Sequence, residues 1–290
     1  MFGVNSMTGP LTKVAVKKPG TSLKNANAKK WHYNSVFDPK KVSDIHNTFV
    51  QTLEGFGTEI YWMPEDDLGI ADSVFTYDAS LMTKSGAILM SPGKKLRTGE
   101  QNIHRDFYKN LNIPIIGSIK GKASAEAGDT LWLDENTLVV GRGFRTNQLG
   151  IDQLKKIITP LGIEVHVFDL PFHLGSDACL HLMSLISLVD TKTALVYLPL
   201  LPVDLWHLLN SKGFSVIEAP AKEFETSNTL STNVLALAPG ECLMLNGLPE
   251  TQKILLDAGI KITVFDGNAL CIGCEGGPTC LTRPLHRITE

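Results

Sequence analysis

The sequence predicts an α/β protein in which five similar units close on themselves in a ring, and three observations lead there. First, four stretches read as a helix end, a glycine suited to the left-handed backbone region, and then a strand. They are Leu53–Gly57 into Thr58–Trp62, Thr159–Gly162 into Ile163–Phe168, Leu209–Gly213 into Phe214–Ile217, and Leu256–Gly259 into Ile260–Phe265. Glycine after a helix relieves the left-handed penalty, and alternating apolar residues behind it argue for a strand. Second, the gap from Gly57 to Gly162 is about twice the others, which predicts a fifth copy near its midpoint. Leu111–Ile116 stands there, with Asn112 as pivot, and asparagine is the next-best left-handed residue. The pivots Gly57, Asn112, Gly162, Gly213 and Gly259 are then spaced by 55, 50, 51 and 46 residues. Third, each interval carries one more short strand, at Gly86–Met90, Thr137–Val140, Thr193–Tyr197 and Cys242–Leu245. Helical stretches with leucines at helical spacing follow, as in Ile151–Thr159, Asp204–Asn210 and Pro249–Ala258. A doubly wound sheet also alternates strand and helix but does not require so regular a period.

The 290 residues are 43% hydrophobic and 20% charged, the balance of a globular protein with a large core. A net charge of −3 leaves no electrostatic footprint for nucleic acid or an anionic membrane. Five cysteines, three of them in one loop, make no disulfide framework and point to a reducing compartment. Met1–Pro10 lacks the basic and apolar regions of a secretory signal. The apolar run Ala178–Val189 is interrupted by His181 and Ser184 and is too short to span a bilayer. A cytoplasmic location is expected. Lys13–Lys30 is lysine-rich without aromatic interleaving and reads as a solvated face.

In a ring of repeats, functional residues should gather in loops that share one face. Behind the pivot strands lie Asp72–Asp78, Glu126–Asp129, Pro171–Ser176 and the stretch Cys271–Leu285. No period of two or 3.6 runs through Cys271–Thr279, so a loop is expected there. A thiol on such a loop is a nucleophile, a metal ligand or a bystander. Cys271 and Cys274 have the spacing of half a zinc site, which Cys280 and His286 could complete, but a second short-spaced pair is missing. Cysteine, histidine and carboxylate together are the parts for nucleophilic attack on a carbon that bears nitrogen.

Three segments carry a family resemblance: Glu126-x-Gly128-Asp129, Phe172-His173-Leu174 and Gly276-Gly277-Pro278-Thr279-Cys280-Leu281-Thr282-Arg283-Pro284-Leu285. They are similar to the active-site motifs of the guanidine-modifying (pentein) superfamily, and the likeness runs from about Val14 onward. It implies a five-bladed β/α propeller with pseudo-fivefold ββαβ repeats, taken as one domain over 11–290 behind an N-terminal tail, 1–10. Within the superfamily the chain most resembles the dimethylarginine dimethylaminohydrolases. That likeness implies Cys280 as nucleophile, His173 as general acid and base, and Glu126 as the supporting acid. It further implies that Asp78, with Phe75 beside it, receives the guanidinium, that Asp72 meets the substrate's α-amino end, and that Arg97 and Arg145 hold its α-carboxylate. The forked guanidinium of arginine suits that last task.

Two positions depart from the family pattern. Tyr77 stands where the dimethylarginine hydrolases place a second acid before the aspartate. Gly175 stands two residues after His173, where arginine deiminases and amidinotransferases carry Asp. Fewer carboxylates around the guanidinium leave room at one nitrogen. The expected activity is therefore hydrolysis of an Nω-methylated arginine to citrulline and (di)methylamine through a covalent thiouronium. Arginine deiminase or dihydrolase and amidinotransferase are the alternatives, and a non-catalytic ribosome anti-association factor of the same fold is the alternative of another class. No cofactor and no metal are expected. The partner is a small guanidino amino acid, with no nucleic acid and no membrane, and a homodimer is entertained.

Overall fold

The computed structural model describes residues 1–289. All five pivots take the left-handed backbone: φ is 82° at Gly57, 54° at Asn112, 79° at Gly162, 75° at Gly213 and 84° at Gly259. Each turns the chain from a helix into the last strand of a unit. The helices are α1 (Val42–Gly55), α2 (Glu100–Asn110), α3 (Gln148–Ile158), α4 (Val203–Ser211) and α5 (Pro249–Asp257). Each is amphipathic: α1 buries Val42, His46, Phe49, Val50 and Leu53, a stripe at helical spacing.

Fifteen strands form five three-stranded sheets among the described residues. One sheet holds β3 (Ser80–Thr83), β4 (Gly86–Leu89) and β5 (Ile115–Ser118); the next holds β6 (Thr130–Asp134), β7 (Thr137–Arg142) and β8 (Glu164–Asp169). The third has β9 (Ile186–Asp190), β10 (Thr193–Val196) and β11 (Ser215–Glu218), and the fourth β12 (Leu235–Ala238), β13 (Glu241–Leu245) and β14 (Lys261–Phe265). In each, the middle strand pairs antiparallel with the first and parallel with the third, and the helix makes the crossover to the third. The fifth sheet joins the two ends of the chain. β15 (Arg283–Arg287) pairs antiparallel with β1 (Leu11–Val16), which runs parallel to β2 (Glu59–Trp62). This is the pseudo-fivefold ββαβ propeller.

Burial falls from the first strand of each sheet to the third. β3 and β4 are wholly buried, whereas β2 and β11 are half-exposed. First strands of neighbouring sheets pack on one another, β9 on β12 and β15 on β3, so they line the axis of the ring. Loops leading into them must end at the centre.

Two expectations change. The stretch Cys271–Thr279 is not loop throughout, because Asn268–Ile272 forms a helical turn that buries Cys271. The leading ten residues are not a free tail: the Gly3 N–H donates to Leu285 O (2.8 Å), Arg287 donates to Gly9 O (2.6 Å), and Val4 is buried. No helix among the described residues is long and apolar enough to cross a membrane.

A side chain added at Gly213 would meet nothing within 4 Å, so Gly213→Ala isolates the backbone term. It is expected to destabilise the fold by about 1 kcal/mol, read from the urea midpoint at unchanged slope.

Candidate active site

One residue just ahead of the first strand in every sheet comes to the axis, four of them lining a common space and Glu126 behind His181. Asp78 precedes β3, Glu126 precedes β6, His181 precedes β9, Asn233 precedes β12 and Cys280 precedes β15. Cys280, His181, Asp78, Asp72, Arg97 and Arg145 line one pocket. Asn233 joins Cys280 and His181 around an adjoining smaller space.

Glu126 is completely buried and opens a 3-10 turn, Ala127–Asp129. Its Oε2 lies 2.7 Å from His181 Nε2, and its Oε1 accepts the N–H groups of Gly93 (2.8 Å) and Lys94 (3.0 Å). The His181 backbone is fixed from two sides: its N–H donates to Ser184 Oγ (3.1 Å), and the next N–H, of Leu182, donates to Asp129 Oδ1 (3.0 Å). Burial alone would raise the Glu126 carboxyl, but the bond and charge of His181, with Arg145 and Arg97, hold it well below the usual range. Burial also opposes charge on His181. The Cys179 sulfur and the Asp78 and Asp129 carboxylates overcome this and set its pKa well above an ordinary histidine. The imidazole is thus poised as a cationic acid.

Gly128 explains itself in this setting. A Cβ there would stand 2.6 Å from His181 Nδ1 and 2.7 Å from Asp78 Oδ1. Across the pocket, the half-buried Cys280 accepts from Asn233 Nδ2 at 3.3 Å, and Asn233 Oδ1 accepts the Thr279 N–H at 3.0 Å. A Cβ at Gly277 would lie 2.5 Å from the Asn233 side chain, and one at Gly276 would run into the Phe75 ring. The paired glycines let the cysteine loop approach both. Burial, then Asp78 and Cys179, push the Cys280 thiol up to about 12, with His181 acting in the opposite sense.

The structure corrects the histidine. His173 lies outside the pocket, on a turn with φ of 48°, and lines a separate, wider cavity beside Leu174. His181, eight residues on, is the imidazole that meets Glu126. Arg97 is also corrected. It is buried and spent on protein acceptors, gripping Glu100 through Nε (2.6 Å) and Nη2 (2.8 Å), Asp78 through Nη1 (2.5 Å) and Phe75 O (2.9 Å). It braces Asp78 and is no free clamp for a carboxylate. Arg145 is freer, with one side-chain contact, to Glu126 at 3.4 Å. Asp72 and Phe75 line the pocket as expected, but Asp72 already accepts from Tyr33 Oη (2.6 Å) and Lys94 Nζ (2.6 Å). Asp78 accepts the Gly128 N–H as well (3.0 Å).

Cys271, Cys274 and His286 form no metal cluster, since His286 bonds Thr12 at the far end of β15. Among the described residues, Asp78, Glu126 and His181 are the group whose donors lie close enough to hold a cation, within 4.8 Å of one another. Those donors are instead engaged with Arg97, Gly128, Gly93 and Lys94.

A signal for His181 and Asn233 was present in the sequence. Asp78, Glu126, His181, Asn233 and Cys280 stand two, four, five, two and three residues before the following strand. His173 stands thirteen before it. Counting back from the next strand, and not forward from the previous one, selects the residues that gather around the axis, because the next strand lines it.

A thiol held near 12 alkylates slowly at neutral pH. In the substrate-free protein, iodoacetamide labelling of the Cys280 peptide, followed by mass spectrometry, should speed up about tenfold per pH unit between pH 7 and 10. A plateau below pH 9 would show the thiol to be already ionised.

The sequence pattern of the family described as "Arginine deiminase" matches residues 69–205 and 199–287. An uncharacterized Bacillus subtilis protein, YkgA, is 27% identical over 282 residues, covering 96% of this chain and 93% of its own. The N(G),N(G)-dimethylarginine dimethylaminohydrolase of Pseudomonas aeruginosa is 25% identical over 249 residues, covering 84% and 89%. A solved structure of that organism's DDAH superposes with a TM-score of 0.77 at 22% identity, over 94% of this chain and 98% of that one. SxtG, an amidinotransferase from Microseira wollei, gives 0.82 at 17% identity over 100% and 98%. With a five-sheet propeller and an axial Cys–His–Glu set already in view, the chain belongs to the arginine deiminase family of the guanidine-modifying pentein superfamily.

Proposed function

We propose that the chain hydrolyses a guanidino amino acid substituted at Nω, with methylated arginine preferred, to a ureido product and an amine. The observation that carries this reading is the pocket in which Cys280 stands opposite the Glu126–His181 pair. A planar guanidinium enters between them. Its positive charge offsets the burial that keeps the thiol protonated, so binding and thiol ionisation go together, and the proton leaves to solvent.

The chemistry then balances in two stages. The Cys280 thiolate forms an S–C bond to the guanidinium carbon. The C–N bond to the substituted nitrogen breaks, and the His181 imidazolium gives its proton to the departing amine. A cationic thiouronium and a neutral imidazole remain. Water then adds to the same carbon while His181 takes one of its protons, the C–S bond breaks with its electron pair returning to sulfur, and the last proton goes to solvent. The ureido product departs. Glu126 keeps the imidazole oriented and favours its charged form. Arg145 and Lys94 supply positive charge where the α-carboxylate would lie, and Asp72 takes the α-amino group by exchange with Tyr33 or Lys94.

The preference for a substituted guanidine is supported by the residue two places after His181. Met183, not an acid, stands there and lines the small space shared by Cys280 and His181. An apolar side chain near the departing nitrogen suits methyl groups better than an unsubstituted N–H₂. Tyr77 offers no second acid either, since its ring is stacked under the Arg283 guanidinium at 4.0 Å.

Incubation with Nω,Nω-dimethylarginine should release citrulline and dimethylamine, and Cys280→Ser should abolish both. His181→Ala should lower kcat by roughly 10²- to 10⁴-fold, whereas His173→Ala retains turnover. The reverse ranking of the two histidines would reinstate the first assignment. Absence of ureido product from every guanidine in a panel that includes arginine itself would end the hydrolase reading. In Glu126→Gln, the His181 ring should titrate at lower pH than in the parent protein, because a neutral amide no longer stabilises the cation; histidine NMR checks this.

A further inference from the structure

The pocket around Cys280 encloses only about 40 Å³, room for a few waters. A second cavity of about 460 Å³ opens beside it, the size of a small-molecule site. The two share Cys179 and Glu275. The small space of about 20 Å³ that holds Cys280, His181 and Met183 also touches both, and shares Thr229 with the larger cavity. The partition is thin: its two residues are tied by one hydrogen bond, from the Cys179 N–H to Glu275 Oε2 at 3.3 Å.

Direction decides what the larger cavity is for. Asp72, Lys94 and Arg145 line only the pocket on the amino-acid side. His181 protonates the departing nitrogen in the reading above, and Cys179 Sγ lies 3.6 Å from its Nδ1. Substituents on that nitrogen have the larger cavity within reach past Cys179 and Thr229, which line it together with the space around His181. One side of it is apolar, where the Tyr197 and Phe224 rings stack 3.6 Å apart at 9° with Leu200 beside them, and Glu225, Asn228, Thr229 and Glu275 line it elsewhere. An aryl group packs against such an apolar side better than a methyl group fills the volume.

We propose that this annex receives the substituent on the departing nitrogen, and that the chain acts on guanidino amino acids whose departing amine carries an arylalkyl chain. The inference rests on the hydrolase reading and extends its substrate class. Every Nω-substituted arginine gives the same citrulline, so one assay covers the series tested.

The test compares kcat/KM for arginines bearing a methyl or a phenethyl group at Nω, in the parent protein and in Leu200→Trp, which fills the annex. The parent should process the phenethyl substrate at least as efficiently as the methyl one. Leu200→Trp should reduce the ratio of the two by at least tenfold, and because each ratio is taken within one protein, a loss of folded material cancels. Ala178→Phe, on another wall of the annex, repeats the measurement should Leu200→Trp fail to fold. Citrulline from the methyl substrate with none from the phenethyl one overturns the annex and leaves the hydrolase standing. An unchanged ratio in both variants overturns it too. No citrulline from any substrate overturns the hydrolase reading and the annex together.

Discussion

The antiparallel pairing of β15 with β1 is the constraint on which the rest depends. It sets Ala15 against Arg283 and Val14 against Pro284, and so joins the two ends of the chain in one sheet. Closing so long a loop costs little more than closing a short one, since the entropy grows only with the logarithm of length. The return is geometric. The ring has no open end, and Cys280, three residues before β15, is delivered to the axis where the four other sheets deliver theirs. The same closure lays the cysteine loop against the chain's beginning, with the Asn34 N–H on Gly273 O at 3.0 Å and Asn34 Nδ2 on Ile272 O at 2.6 Å. The residues that cover the pocket and those that line its floor are thereby held by one sheet.

The architecture was legible because the pivots are local. A residue with positive φ after a helix is demanded by the turn itself, so Gly57, Gly162, Gly213 and Gly259 could be read without tertiary knowledge, and Asn112 by period. Cys280 stood out in the sequence because two glycines and a proline crowd ahead of it. The histidine that meets Glu126 did not. Phe172-His173-Leu174 and Leu180-His181-Leu182 look alike over three residues, and only the distance to β9 separates them. Asn233 was missed for another reason: asparagine has no charge and no unusual reactivity, and its role comes from Thr279 and Cys280, which lie more than forty residues away in sequence. Arg97 was legible as a site residue but not in its role, because its partner Glu100 lies one turn along and captures the guanidinium fork locally.

Those captures define the resting state of the site. Asp78, Glu126 and Asp72 are all buried and all already bonded, to Arg97, His181 and Lys94 among others. A buried carboxylate without such partners would be costly. In the proposed reaction a guanidino amino acid would meet acids already paired, exchanging partners with Asp72 and sharing Asp78 with Arg97. Glu100 completes the logic: burial raises its carboxyl to about 7 against the pull of Arg97, so this acid can give up charge as the local balance shifts.

The thiol is the counterpart of that arrangement. Held near 12, only about one Cys280 in 10⁵ is ionised at neutral pH before substrate arrives. Permanent activation would have required a cation next to the sulfur; the charge of His181, tied to Glu126, offsets burial only in part. The missing charge has to come with the substrate. A guanidinium brings it; a neutral urea does not. In the proposed reaction the same balance works at the end: once the guanidinium has become a ureido group, that charge is gone and the sulfur takes up a proton again.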